Sequence, residues 1–236
     1  MPVAIVTGAG SGIGRAIAQR LGRAGWNLAL VGRSEERLRE TEALLGAAAS
    51  LPAGLELIAA DLSDPASVRA AIETTGGVFS RIDVLVNNAG FARGVPIEAT
   101  EIGFLEELFA VNTFAPALAV AAAWPIFRAQ RSGRVVNISS MSAFDPFPGF
   151  LVYAGTKAAL DGITRAIAVE GAALGIKAFS VNPGAVETPL LRSLFSTQAV
   201  PPSSALDPRG VAELVWECAA GLRDFDNGRA IPIVAR

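Results

Sequence analysis

Short apolar runs alternate with stretches of helical periodicity along the whole chain. Residues 3–7 form an apolar run that ends in glycines, and 13–24 carry Ile13, Ile17 and Leu21 on one helical face. Residues 28–31 read as a second strand. A helix over 35–45 follows, with Ser34 placed to cap it and Glu35 and Glu36 in its first turn. Residues 55–60 give a third strand, Pro65 opens another helix where its missing N–H costs little, and 82–86 give a fourth strand. A long helical region spans 101–131, with a break expected near Asn112 and Pro116. Strand 134–139, helix 151–174, strand 177–182, helix 208–222 and strand 229–234 complete the series. This alternation predicts an α/β fold: a doubly wound parallel sheet of about seven strands with helices on both faces. Pro201, Pro202, Ser203 and Ser204 read as a loop rather than a linker, so a single domain over 1–236 is expected.

Composition narrows the class. With 236 residues, 51% apolar and 18% charged, the chain has ample surface to bury, which excludes a disordered protein. Twenty basic residues against 22 acidic ones give a net charge of −2, so no overall positive field exists to hold nucleic acid. The chain has no histidine, which removes imidazole acid/base chemistry and histidine triads. Cys218 is the one cysteine, so no intrachain disulfide forms and a zinc site is not expected. No cationic leader precedes the apolar start. The longest apolar stretch, 114–127, is fourteen residues, short of the ~20 a membrane span needs. A cytoplasmic protein with no membrane, nucleic-acid or metal partner is expected.

The candidate chemistry begins at Gly8, Gly10, Ser11, Gly12, Ile13 and Gly14, between the first strand and the first helix. A turn there that brings main chain close to a ligand favours glycine, and the helix N-terminus behind it suits a phosphate. Arg15 stands where a Walker P-loop would need its Gly-Lys-Ser/Thr ending, which excludes that motif. Tyr153 and Lys157 are four residues apart on one helix face, an arrangement that also occurs as a plain surface pair. A cation beside a phenol favours the phenolate and lowers its pKa.

Taken together these positions resemble the short-chain dehydrogenase/reductase family. The resemblance rests on Gly8-x3-Gly12-x-Gly14, Asp61-Leu62, Asn87-Asn88-Ala89-Gly90, Asn112, Ser139-Ser140, Tyr153-x3-Lys157, and Pro183-Gly184 with Thr188, in that order, over residues 3 to 190. It implies Tyr153 as proton donor or acceptor, Lys157 as tuning charge and ribose partner, and Ser140 orienting the carbonyl, with Ser139 and Ser142 as rivals. It implies Asn112 as a fourth catalytic member, at a helix kink; read bare, Asn112 is equally an ordinary helix break. It implies cofactor contacts from Asp61, Leu62, Asn88, Ala89, Gly90, Pro183, Gly184, Val186 and Thr188. As a bare residue Asp61 could instead cap the following helix.

An acid at the end of the second strand would bind the ribose 2′-OH of NAD. Gly32 stands there, followed by Arg33, whose guanidinium suits a 2′-phosphate. NADP(H) is therefore favoured, with NAD(H) left open. Phe91, Phe144, Phe147, Phe150 and Phe195 surround the implied pocket, which points to an apolar or aromatic carbonyl or alcohol. Arg93 and Arg192 stay open as anion-binding side chains. The apolar stretch 114–127 and the small residues of the Tyr153 helix imply a homodimer or homotetramer. Pro232 suits an edge strand. A non-catalytic nucleotide-binding regulator on the same fold is the alternative to an enzyme.

Overall fold

A computed structural model describes residues 1–47 and 54–235. Seven strands form one parallel sheet: β1 (Val3–Thr7), β2 (Asn27–Gly32), β3 (Leu55–Ala59), β4 (Val84–Asn87), β5 (Gly133–Ile138), β6 (Ile176–Pro183) and β7 (Ala230–Ile233). Their order is β3-β2-β1-β4-β5-β6-β7. The inner strands are buried on both faces, so they read as continuous apolar runs rather than alternating ones. Register is regular: Val6 lies beside both Leu30 and Val86. Pro232 lies on β7, which is an edge of the sheet.

The helices are α1 (Gly12–Arg23), α2 (Glu35–Ala47), α3 (Pro65–Phe79), α4 (Ile102–Phe109), α5 (Ala115–Gln130), α6 (Leu151–Gly171), α7 (Pro189–Leu194) and α8 (Pro208–Ala219). α1, α2 and α8 pack one face, around Ile17, Leu21, Leu38 and Val215. α3, α5 and α6 pack the other, around Ile72, Ala123, Phe127 and Ile167. The doubly wound arrangement is as the alternation predicts. The chain winds outward from β1 in both directions, so the carboxyl ends of β1 and β4 flank the switch point where such sheets bind ligands.

Several boundaries differ from the sequence reading. The expected break near Asn112 and Pro116 is absent. A π-helical segment, Ala110–Phe114, joins α4 to α5, and Pro116, which has no N–H to donate, falls in the turn directly after it. Residues Ile102–Gln130 therefore run as one 29-residue helix with a hydropathy of 1.5, long and apolar enough to cross a membrane by those measures. Phe127, Ala123 and Ala119 are nonetheless buried against the sheet. α6 stops at Gly171 and ends in a 3₁₀ turn before Gly175. α8 stops at Ala219 rather than 222, and α7 was not expected at all. Asp64, not Asp61, caps α3, accepting from the N–H groups of Ala66 and Ser67.

Candidate active site

The glycine turn joins β1 to α1. Gly8 has φ +66°, and a Cβ on Gly14 would lie 2.3 Å from the Gly8 carbonyl oxygen, so helix and turn close to backbone contact. Thr7 ties this turn to the segment after β4. Its Oγ1 accepts the N–H groups of Asn88 at 2.9 Å and Ala89 at 3.0 Å, while Asn88 Nδ2 donates to the Thr7 carbonyl at 2.8 Å. Asn87 continues the brace sideways through Asn137 to Thr164, at 2.9 and 2.8 Å.

A cleft of about 970 Å³ runs along the carboxyl ends of the strands. Gly8, Ser11, Gly12, Ile13, Arg33, Asp61, Leu62, Asn88, Ala89, Gly90, Ser140, Tyr153, Lys157, Pro183, Gly184, Val186 and Thr188 all line it. Two expected site residues do not. Gly14 lies behind the turn, where its role is close packing. Asn112 is fully buried behind Gly90. Its amide donates to the Phe91 carbonyl at 2.9 Å, and its Oδ1 accepts the Phe91 N–H at 3.0 Å. In this structure it clamps the loop after β4 rather than facing the cleft.

At one end of the cleft Ser140, Tyr153 and Lys157 converge. Ser140 lies two residues past β5, and its Oγ accepts the Ser142 N–H at 3.1 Å. Ser139 instead turns inward, donating to the Lys157 carbonyl at 3.1 Å, which separates it from its neighbour. Lys157 is 4% exposed and donates to the Ile138 carbonyl at 2.8 Å. Burial lowers its pKa to about 8, opposed by the Asp161 charge. Burial raises the Tyr153 phenol above its usual value, and a hydrogen bond with Ser140 pulls it back. The net direction is upward, opposite to the lowering expected from a nearby lysine. The Lys157 ammonium stands 5.7 Å from the Tyr153 ring centroid and is turned to a main-chain carbonyl, so burial outweighs it.

The opposite end carries Arg33, Ser34 and Arg37. Arg37 was missed from the sequence: it sits one helical turn past Arg33, and α2 brings it over Gly10. Neither arginine has a salt bridge among the described residues, whereas Glu35 is engaged by Arg39 at 2.6 Å. The helix N-terminus beside them adds N–H donors, with Ser34 Oγ accepting the Arg37 N–H at 3.3 Å. Asp61 is held by Ser63, whose N–H and hydroxyl keep its carboxyl below the usual range. Arg93 and Arg192 do not serve as open anion sites: Arg93 pairs with Glu107 at 3.1 Å, and Arg192 pairs with Glu187 and holds the Val200 carbonyl.

The model of the short chain dehydrogenase family matches residues 2–199. The chain belongs to this family. An uncharacterized oxidoreductase of Staphylococcus epidermidis is 35% identical over 188 residues, covering 80% of this chain and 79% of that relative. One from Staphylococcus aureus is 33% identical over 215 residues, 90% of this chain and 88% of its own. Among solved structures, levodione reductase superposes with a TM-score of 0.92 at 30% identity, covering 99% of this chain and 96% of its own. A 3-ketoacyl-(acyl-carrier-protein) reductase from Brucella melitensis, complexed with NADH, gives 0.91 at 28% identity over 99% of this chain and 97% of its own. A protein from Beutenbergia cavernae described as an NAD(P) dependent gluconate 5-dehydrogenase, with NADP bound at low occupancy, gives 0.90 at 30% identity, covering 99% of this chain and 95% of its own. This short-chain dehydrogenase is an oxidoreductase on a Rossmann-like fold, and its cleft fits a nicotinamide dinucleotide: the glycine turn and the N-terminus of α1 line it beside the carboxyl ends of the strands.

Proposed function

We propose that the chain is an NADP(H)-dependent oxidoreductase that interconverts a carbonyl and an alcohol, with Tyr153 as acid/base. The observation that carries this reading is one cleft with two unlike ends. Two arginines without an ion pair among the described residues stand at one end, and the Ser140–Tyr153–Lys157 cluster, with Ser140 and Lys157 buried, at the other. Arg33 and Arg37, with Gly32 in place of an acid, suit a 2′-phosphate; the ribose and nicotinamide would lie along Lys157, Pro183, Gly184, Val186 and Thr188. A bound nicotinamide supplies or takes the hydride. Tyr153 O–H donates a proton to the substrate oxygen in reduction, and the Tyr153 phenolate oxygen accepts one from the alcohol in oxidation. Ser140 Oγ steadies that oxygen as charge grows on it. Lys157, charged, lowers the cost of the phenolate. Asn112 fixes the loop that carries Gly90.

The substrate end is aromatic. Phe150 meets Tyr153 edge-on at 6.3 Å and stacks on Phe195 at 5.7 Å, and Phe147 lies 6.3 Å from Phe195. These rings support a neutral apolar or aromatic carbonyl or alcohol. The outer faces of α5 and α6 support a homo-oligomer, a dimer or tetramer of one cytoplasmic domain.

The test is Tyr153→Phe, assayed by nicotinamide absorbance against a panel of cyclic and aromatic ketones. Turnover should fall at least ~10²-fold while cofactor affinity stays near wild type. Near-wild-type hydride transfer would remove Tyr153 from the mechanism. Cofactor binding with no turnover in the wild type would favour a regulator.

A further inference from the structure

Beneath the reacting groups lies a buried polar cluster that the chemistry above leaves unused. Asp161, one turn along α6 from Lys157, is 5% exposed. Its carboxylate accepts from Ser180 Oγ at 2.6 Å and from Asn182 Nδ2 at 3.0 Å, both on β6. The same Asn182 amide donates to the main-chain carbonyl of Ser140 at 3.1 Å. Asn182 is fully buried, and its Oδ1 has no partner among the described residues. The two acceptors, Asp161 and Ser140, therefore set how Asn182 is oriented.

A buried carboxylate is costly unless its charge is matched. The cation one turn away on α6 is Lys157, whose ammonium is weakened by burial and strengthened by Asp161. The groups that other elements present to Lys157 are neutral: the Ile138 carbonyl and the Ser139 hydroxyl after β5, and Gly90, which lies against both Lys157 Nζ and Asn112 Oδ1. Tyr153 and Asp161, both on its own helix, are the titratable groups around it among the described residues.

We propose that Asp161 is a positioning residue of this site: its carboxylate, one turn from Lys157 on α6, favours the charged form of the lysine, and its hydrogen bond with Asn182 holds the Ser140 main chain. The proposal rests on the roles given above to Lys157 and Ser140. It links the two through one carboxylate, so that the charge of the lysine and the placement of the serine depend on the same group.

The chain has two lysines, Lys157 and Lys177, so NMR of isotope-labelled lysine resolves them both. Lys177, paired with Asp224 at 3.0 Å, is the internal control. Asp161→Asn is expected to lower the Lys157 titration midpoint by about one pH unit or more and to leave Lys177 in place. Asp161→Glu is expected to keep the midpoint near wild type. In turnover, Asn182→Ala is expected to lower kcat with little change in cofactor KM and an unmoved Lys157 midpoint. A folded Asp161→Asn chain with the wild-type midpoint overturns the proposal. So does failure of both Asp161→Asn and Asp161→Ser to fold, because Asp161 would then serve the fold alone. The lysine titration needs no turnover. An inactive wild type would thus count against the redox chemistry at Tyr153 and leave the Asp161 result readable.

Discussion

Lys157 and Arg37 mark the two limits of what single residues disclose. The four-residue spacing of Tyr153 and Lys157 is visible in the sequence, but the burial of the ammonium is not. That burial has a thermodynamic consequence. Folding lowers the Lys157 pKa from 10.5 to about 8, so between these values the unfolded chain binds the proton that the folded one has released. The penalty is complete below about pH 8 and fades toward 10.5, and stability from this group rises with pH across that window. The stability of Lys157→Met relative to wild type should accordingly fall by about 2–3 kcal/mol between pH 7 and pH 10, while turnover is abolished at both. Denaturant unfolding at both pH values checks this, and an equal effect at both would contradict it. At the other end, Arg33→Ala and Arg37→Ala should each weaken NADPH by about 1.5–3 kcal/mol and leave NADH nearly unchanged, read by fluorescence titration. Equal losses for the two cofactors would reject the phosphate clamp. Arg37 escaped the sequence reading because only the path of α2 swings it beside Arg33.

At the scale of elements, the glycine turn and the π-helical segment do the positioning. The turn was legible, since strand, glycines and helix follow one another directly. Its tightness is a structural fact: Gly14 carries no Cβ because the Gly8 carbonyl and Asn88 Nδ2, at 2.3 and 2.5 Å, occupy that place. Gly14→Ala should cost about 1–3 kcal/mol as overpacking and should weaken the cofactor, because the turn must shift to make room. Thermal unfolding with a cofactor titration tests this; an unchanged pair of values would show the turn to be yielding. The π-helical segment was misread as a break. Asparagine and proline signal helix ends when read locally. Here Pro116 enters the first turn of α5, and the Asn112 amide is taken up by Phe91. A hydrogen bond to a loop 21 residues earlier leaves no periodic trace.

Exposed apolar residues recur on the α5–α6 side of the sheet. Phe114, just before α5, and Leu151 and Val169, on α6, are 55%, 50% and 77% exposed. Gly155, Ala158 and Ala166 are exposed between them on α6, with Arg165. Patches of this kind on a folded protein mark association surfaces. Light scattering at micromolar concentration should return at least twice the 24.3 kDa of one chain. Val169→Glu should shift the population toward the single chain. A wild-type mass near one chain would reject the interface.

The amino-acid sequence by itself determined the strand–helix alternation, the glycine turn, and the Ser140, Tyr153 and Lys157 positions. These are local properties: a period, a spacing, or a residue type that a turn requires. Tertiary structure decided the rest. It placed Asn112 behind Gly90, committed Asn88 to Thr7, paired Arg93 and Arg192 with acids, and gave Lys157 a buried carboxylate for a neighbour. Each of these depends on which strands lie side by side at the carboxyl edge of the sheet. Hydrogen bonds and desolvation act over a few ångströms in space, whatever the distance along the chain.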